Sequence, residues 1–359
     1  MARITFAPMK AARLVAFREP LAIEDVPIPT PAGAEALVRV TAVGVCRSDW
    51  HQWNDDWGWI GARARLPITP GHEIGGVIEA VGPDVHTVHP GQRVTVPFLQ
   101  SCGVCDNCRA GRDNLCLQGE FSGFSRDGGF AEYLLVKVAD LNCIPLPDAV
   151  SDEVAAALGC RFTTGYHAIA HRAKPAPGDW IAIFGAGGVG LSAIQVAAAL
   201  GAKPIAIDID ADKLAFAQRM GAVETINGAE VDATKRIRQI TDGGAPFTVD
   251  AIATAKTTQQ GIRALRRGGR HVQVGLTSQE DKGQIPFPAD ALVNAELEIV
   301  GSGSSPHAGY GEIFALIANG KLDPGALITR RIALEDVTDV FHAFDTYATR
   351  GLDIVTRFS

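Results

Sequence analysis

The 359-residue sequence lacks a surplus of positive charge: 33 Lys and Arg stand against 40 Asp and Glu, a net charge of −7. That balance excludes phosphate-backbone binding as the main task. Cysteine is scarce, and seven residues are too few, and odd in number, for a secreted disulfide scaffold. Near the N-terminus stand Arg3, Lys10 and Arg13, with no apolar run of signal-peptide length. Met9-Lys10-Ala11 resembles a natural start, so the first eight residues read as an upstream extension. Repeats and low-complexity tracts are also missing. Residues 180–202 carry no charge, but Gly185, Gly187, Gly188 and Gly190 break the run, which fits strand, turn and helix better than a membrane span. These absences point to a soluble, cytoplasmic protein.

Hydrophobic residues make up 47% of the chain and charged residues 20%, enough to bury a sizeable core. The length suggests two domains. The 39 glycines, about 11% against a usual 7% or so, call for many tight turns. Up to about residue 160 the text is β-like: short valine-rich runs at 36–40, 76–81 and 93–96, punctuated by Gly and Pro. From about 165 to 300, apolar strands at 180–184, 204–207, 248–252 and 271–274 alternate with helical stretches such as 191–200 and 213–220. This rhythm predicts an α/β fold with a parallel sheet covered on both faces. A mixed tail from about 301 ends β-like at 354–356.

Between the strand at 180–184 and an alanine-rich helix lies Gly185-Ala186-Gly187-Gly188-Val189-Gly190. In this context G-x-G-x-x-G is a dinucleotide signal. Gly185 makes the turn, Gly187 lets the backbone approach a pyrophosphate, and Gly190 permits close helix packing. Asp208 ends the next strand, where a carboxylate accepts the ribose diol and repels a 2′-phosphate, so NAD is preferred over NADP.

Cys102, Cys105, Cys108 and Cys116 crowd a loop rich in Gly, Asp, Asn and Arg. Four thiolates close a tetrahedral structural zinc site. The spacing departs from the bacterial iron–sulfur pattern after the third cysteine, and the basic or aromatic surroundings of a nucleic-acid zinc knuckle are missing. Cys46, His72 and Cys160 would form an open zinc site of the catalytic kind, although spacing alone does not join them. Cys143 is left over as a core thiol.

Several motifs occur together and in order: Cys46-Arg47-Ser48-Asp49, Gly71-His72-Glu73, the four-cysteine loop, Gly159-Cys160-Arg161-Phe162-Thr163-Thr164-Gly165, and the glycine turn. Over nearly the whole chain the sequence resembles the zinc-dependent medium-chain alcohol dehydrogenases. The resemblance implies a GroES-like, mostly-β catalytic domain from residues 1–165 and 301–359. It also implies a Rossmann, doubly wound NAD-binding domain from 166–300, an active site in the cleft, and a homodimer or homotetramer. Cys46, His72 and Cys160 would bind catalytic zinc, with Glu73 behind the metal and Asp49 orienting His72. An alcohol would react as a zinc-bound alkoxide, its proton passing from Ser48 through the NAD ribose to His51. Arg47 would contact the pyrophosphate and Thr164 the nicotinamide side, with Gly188, Val189, Lys213 and Val274 completing the coenzyme contacts. Arg350 and Arg357 both stand where a second pyrophosphate contact is expected.

Four of the five tryptophans (Trp50, Trp53, Trp57, Trp59) follow the first ligand closely. They read either as a packed aromatic lid or, for Trp53 and Trp57, as walls of a substrate pocket. Residues 58–65 look longer than in relatives. The expected activity is NAD-dependent interconversion of primary or secondary alcohols with aldehydes or ketones. The alternatives are a polyol, formaldehyde or amino-alcohol dehydrogenase of the same superfamily, or a non-catalytic zinc-stabilised NAD-binding protein.

Overall fold

The computed structural model describes residues 8–61, 63–277 and 281–358. All but the last residue of the expected upstream extension, and part of the 58–65 segment, lie outside them. Among the described residues no helix is long and apolar enough to cross a membrane. The chain forms two compact units. One holds the described residues through Cys160, with Pro306–Ala318 and the chain from Ile328 onward; the other holds Arg161–Ser305 and Asn319–Leu327. Residues 301–305 group with the second unit because its last strand runs on to Gly301. The excursion at 319–327 joins it through Gln195, whose amide bonds the backbone of Asp323 in both directions at 2.8 and 3.1 Å.

In the first unit, strand Ala36–Gly44 is the centre of a mostly antiparallel sheet. One edge pairs with Glu73–Val81, followed outward by Arg93–Val96 and Ile144–Pro145. The other edge is shared: Tyr133–Val136 takes its first half, and Leu352–Arg357 meets Val43 and Gly44. The end of the chain is thereby stitched beside its first third. β-Branched residues, among them Val38, Val40, Val43, Ile74, Ile78, Val94 and Val355, fill the core, as expected where strands are buried on a pleated surface. Helix Asp152–Leu158 is capped by the Ser151 hydroxyl, which accepts from the Val154 N–H at 3.2 Å. Its buried Ala155, Ala156 and Ala157 let it lie close against the sheet, and it delivers Cys160.

The second unit is a six-stranded parallel sheet: β1 (Trp180–Phe184), β2 (Lys203–Asp208), β3 (Glu224–Asn227), β4 (Ala245–Asp250), β5 (Leu265–Gln273) and β6 (Glu298–Gly301). Their order across the sheet is 3-2-1-4-5-6, the doubly wound order of dinucleotide-binding folds. The sequence pattern omits β3 and β6. Both are only four residues long, and neither carries a continuous apolar run.

Candidate active site and coenzyme turn

Three chain segments end at one point in the first unit. Cys46 precedes helix Arg47–Trp53, His72 precedes strand Glu73–Val81, and Cys160 follows helix Asp152–Leu158 after Gly159. Their ligand atoms lie within 4.8 Å of one another. Asp49, fully buried, ties the point together. It accepts the Cys46 N–H at 3.0 Å, the Gly71 N–H at 3.0 Å and the His72 Nδ1–H at 2.8 Å. Burial works against a cation on His72. The charge of Asp49 and its hydrogen bond outweigh that cost, so the pKa of the ring rises well above the ordinary value. Asp49 holds one proton on Nδ1, so Nε2 is the nitrogen left toward the two thiols, and a metal bound there would displace its proton. That nitrogen is buried and without a hydrogen-bond partner among the described residues. Two sulfurs and one orphaned imidazole nitrogen fit a tetrahedral zinc with its fourth position open. Glu73 lies outside this ligand set. It is buried behind it, so tightly that a Cβ on Gly159 would meet Glu73 Cβ at 2.4 Å.

Aromatic rings enclose His72. Phe98, Phe121 and Phe124 stand 6.1, 5.4 and 5.8 Å from its ring centroid, and Trp57 stacks on Phe124 at 5.9 Å. These phenylalanines are absent from the sequence reading; the one signal for them was Phe121-Ser122-Gly123-Phe124, directly after the cysteine loop. Trp57 thus joins this enclosure through Phe124. Trp53 does not. It is fully buried in the core, its Nε1–H bonds the Glu19 carbonyl at 2.6 Å, and it packs on Phe341 and His342. Trp53 sits on the inner face of its helix, whereas Trp57 lies beyond the helix end.

Ser48 and His51 share the same helix as Asp49, both half-buried. The Arg47 guanidinium is sandwiched by Trp50 and Tyr347 at 4.4 and 4.2 Å and donates to the Phe344 carbonyl at 3.1 Å. Burial lowers its pKa.

The four loop cysteines also converge, all four sulfurs within 4.8 Å of one another. Recorded Sγ–Sγ separations are 3.5 to 3.9 Å, against about 3.8 Å for a tetrahedron with zinc–sulfur bonds of about 2.3 Å. Backbone N–H groups of Cys102, Val104 and Cys105 point at sulfurs 3.3 to 3.5 Å away. Donors from Cys108 and Leu117 bring the Cys105 thiol down to about 6, while burial and neighbouring sulfurs push Cys108 up to about 12. Four sulfurs at this tetrahedral spacing fit a divalent cation such as zinc. Val104, Leu115 and Leu117 are exposed, so the loop has little packing of its own.

In the second unit, β1 leads into Gly185, whose φ of +97° places it in the left-handed region, and helix Gly188–Ala199 follows. A Cβ on Gly190 would strike the Gly185 carbonyl at 1.7 Å, so only glycine permits this closeness of turn and helix. Nothing lies within 4 Å of where a Gly187 side chain would start, which leaves the turn open to a pyrophosphate. Val189 lies in the first turn of the helix. Asp208, at the end of β2, accepts the Ala186 N–H at 2.7 Å, which fastens the acid to the turn. Lys213 lies on helix Ala211–Arg219, Val274 just after β5, and Thr164, buried, on helix Cys160–Tyr166. Sequence reasoning missed Arg161, which is buried with its guanidinium against Gly188 at the start of the glycine-turn helix. Arg350 and Arg357 are exposed.

An open thiolate–imidazole set, a closed four-thiolate set and a doubly wound nucleotide fold define a zinc-dependent, dinucleotide-using oxidoreductase. Residues 32–148 match the alcohol dehydrogenase GroES-like domain and residues 188–319 the zinc-binding dehydrogenase domain. An alcohol dehydrogenase of Geobacillus stearothermophilus is 37% identical over 93% of this chain and 95% of its own length. An NAD-dependent alcohol dehydrogenase of Sulfurisphaera tokodaii is 32% identical over 97% and 99%. The solved alcohol dehydrogenase of Thermus sp. ATN1 superposes with a TM-score of 0.89 at 30% identity, covering 97% of this chain and all of that one. The chain belongs to the zinc-type medium-chain alcohol dehydrogenase family.

Proposed function

We propose that the protein oxidises primary or secondary alcohols to aldehydes or ketones with NAD, reversibly, and that the observation carrying this is the Cys46–His72–Cys160 set braced by Asp49. Zinc, when bound, supplies the Lewis-acid charge that makes an alcohol hydroxyl more acidic and a carbonyl more electrophilic, and NAD supplies the hydride acceptor. Cys46 and Cys160 offer thiolates and His72 a neutral nitrogen. Asp49 keeps that nitrogen aimed by holding the proton on the far side of the ring. Ser48 receives the hydroxyl proton of the alcohol as it passes its own onward, and His51 takes up the relayed proton and releases it to solvent. Phe98, Phe121, Phe124 and Trp57 exclude water and present apolar faces to the organic part of the substrate. That lining favours apolar and aromatic alcohols over polyols.

Gly185, Gly187, Gly188, Val189 and Gly190 hold the coenzyme pyrophosphate. Asp208 takes the ribose diol, and Lys213, Val274, Arg47 and Thr164 complete its contacts. Cys102, Cys105, Cys108 and Cys116 hold the second, structural zinc. A homodimer or homotetramer in the cytoplasm completes the reading. The exposed apolar residues Phe287, Val293 and Ile299, the last on the edge strand β6, support association. Screening alcohols with NAD and NADP at mildly alkaline pH, with zinc counted per chain, tests the proposal. Two zincs and NAD-linked oxidation are expected. One zinc without turnover would favour a non-catalytic NAD-binding protein.

A further inference from the structure

His51 does not stand alone. Its Nδ1 lies 2.7 Å from Oδ2 of Asp56, and the side chains of the pair are only 22% and 14% exposed. A carboxylate can only accept, so Nδ1 carries the proton and Nε2 is left with its lone pair. The ring is clamped on its faces as well, stacked on Trp57 at 4.8 Å and met edge-on by Trp50 at 5.0 Å. Asp56 is itself held: Asn54 Nδ2 donates to its other oxygen at 2.6 Å, and its N–H caps the His51 carbonyl at 2.9 Å.

Other charges near the pair are engaged elsewhere. Asp345 bonds Arg18 and Trp50 Nε1 at 2.7 and 2.9 Å and lies 3.6 Å from His342. Asp55 pairs with Arg63 at 2.9 Å. Arg47, which feels the charge of Asp56, lies between the rings of Trp50 and Tyr347.

We propose that Asp56 is a positioning residue for His51: it fixes the ring's tautomer and orientation and stabilises the imidazolium formed during proton release. The inference rests on the proton-release role of His51 given above. The proton arrives at Nε2 and leaves from Nε2 to water or buffer. Nδ1–H stays on the ring throughout, so no proton reaches Asp56 and the charge balances. An aspartate holding a histidine in its working tautomer is an established way to sustain proton transfer.

The test compares D56N, D56E and H51Q with the native enzyme, measuring kcat and KM from pH 6 to 10 at rising phosphate buffer and fixed ionic strength. General-base help is worth on the order of 10²–10⁴ in rate, and its orientation a part of that. D56N is expected to lose about tenfold in kcat near pH 7. That loss should shrink toward pH 10 and be partly restored by buffer, with KM, zinc content and melting temperature little changed. H51Q should show the same signature, and D56E should recover part of the rate. Native behaviour of D56N beside a slow H51Q would overturn the role of Asp56 alone. A pH-independent loss that buffer does not restore would reduce Asp56 to a structural part. Native rates in both D56N and H51Q would overturn the role of His51 and this inference together.

Discussion

Asp49 gathers two backbone N–H groups and an imidazole where no water reaches. Asn could accept some of these bonds but not all three as an anion, and would leave His72 free to turn. D49N should therefore weaken retention of the catalytic zinc by about 10- to 100-fold while the cysteine-loop zinc stays. Zinc counted per chain after graded dialysis against a chelator reads this directly, and equal loss from both sites would contradict it. Trp53 and Trp57 make the opposite comparison. W53A should cost about 3–5 kcal/mol of stability, seen in denaturant melts. W57A should leave stability nearly unchanged and raise KM for aromatic alcohols. In the sequence the two tryptophans are indistinguishable, four residues apart behind the same ligand. What separates them is the end of helix Arg47–Trp53, which turns the chain so that one ring enters the core and the other meets His51 and Phe124.

The glycine turn was legible because its constraints are local: a strand, a φ only glycine tolerates, a helix start and an acid on the next strand. D208G should release the hold on the ribose diol and lift the penalty on a 2′-phosphate. The ratio of kcat/KM for NAD over NADP should fall at least tenfold, and an unchanged ratio would contradict the assignment. The cysteine loop was legible for a similar reason, four ligands within 15 residues of chain. The aromatic enclosure was not, because Phe98 and Phe121 are far apart in sequence and meet only where strand Leu99–Gln100 pairs with Glu120–Phe121, and Trp57 reaches Phe124 from a third segment. The partnership of His51 with Asp56 is close in sequence, yet nothing in residue type distinguishes Asp56 from Asp55. The turn after the helix decides which carboxylate reaches the ring.

Three histidines are held with lowered pKa values in the folded protein. His167 comes down to about 4 through burial, then through the charges of His171 and Arg172; burial also lowers His271 and His307. Unfolding returns each to about 6.5, so the unfolded chain binds more protons between the two values. Stability from this source is complete above about pH 6.5 and declines as pH falls toward 4. The melting temperature should drop from pH 7 to pH 5, and His167→Asn should flatten that slope; a flat native profile would contradict it.

The open ligand set carries the chemistry, so the decisive measurement is zinc per chain together with NAD-linked alcohol turnover, in the native enzyme and in Cys46→Ser. Two zincs and turnover are expected in the native protein, with one zinc, intact NAD binding and turnover lost in the variant. An active variant, or a native protein that oxidises alcohols while holding only the cysteine-loop zinc, would contradict this.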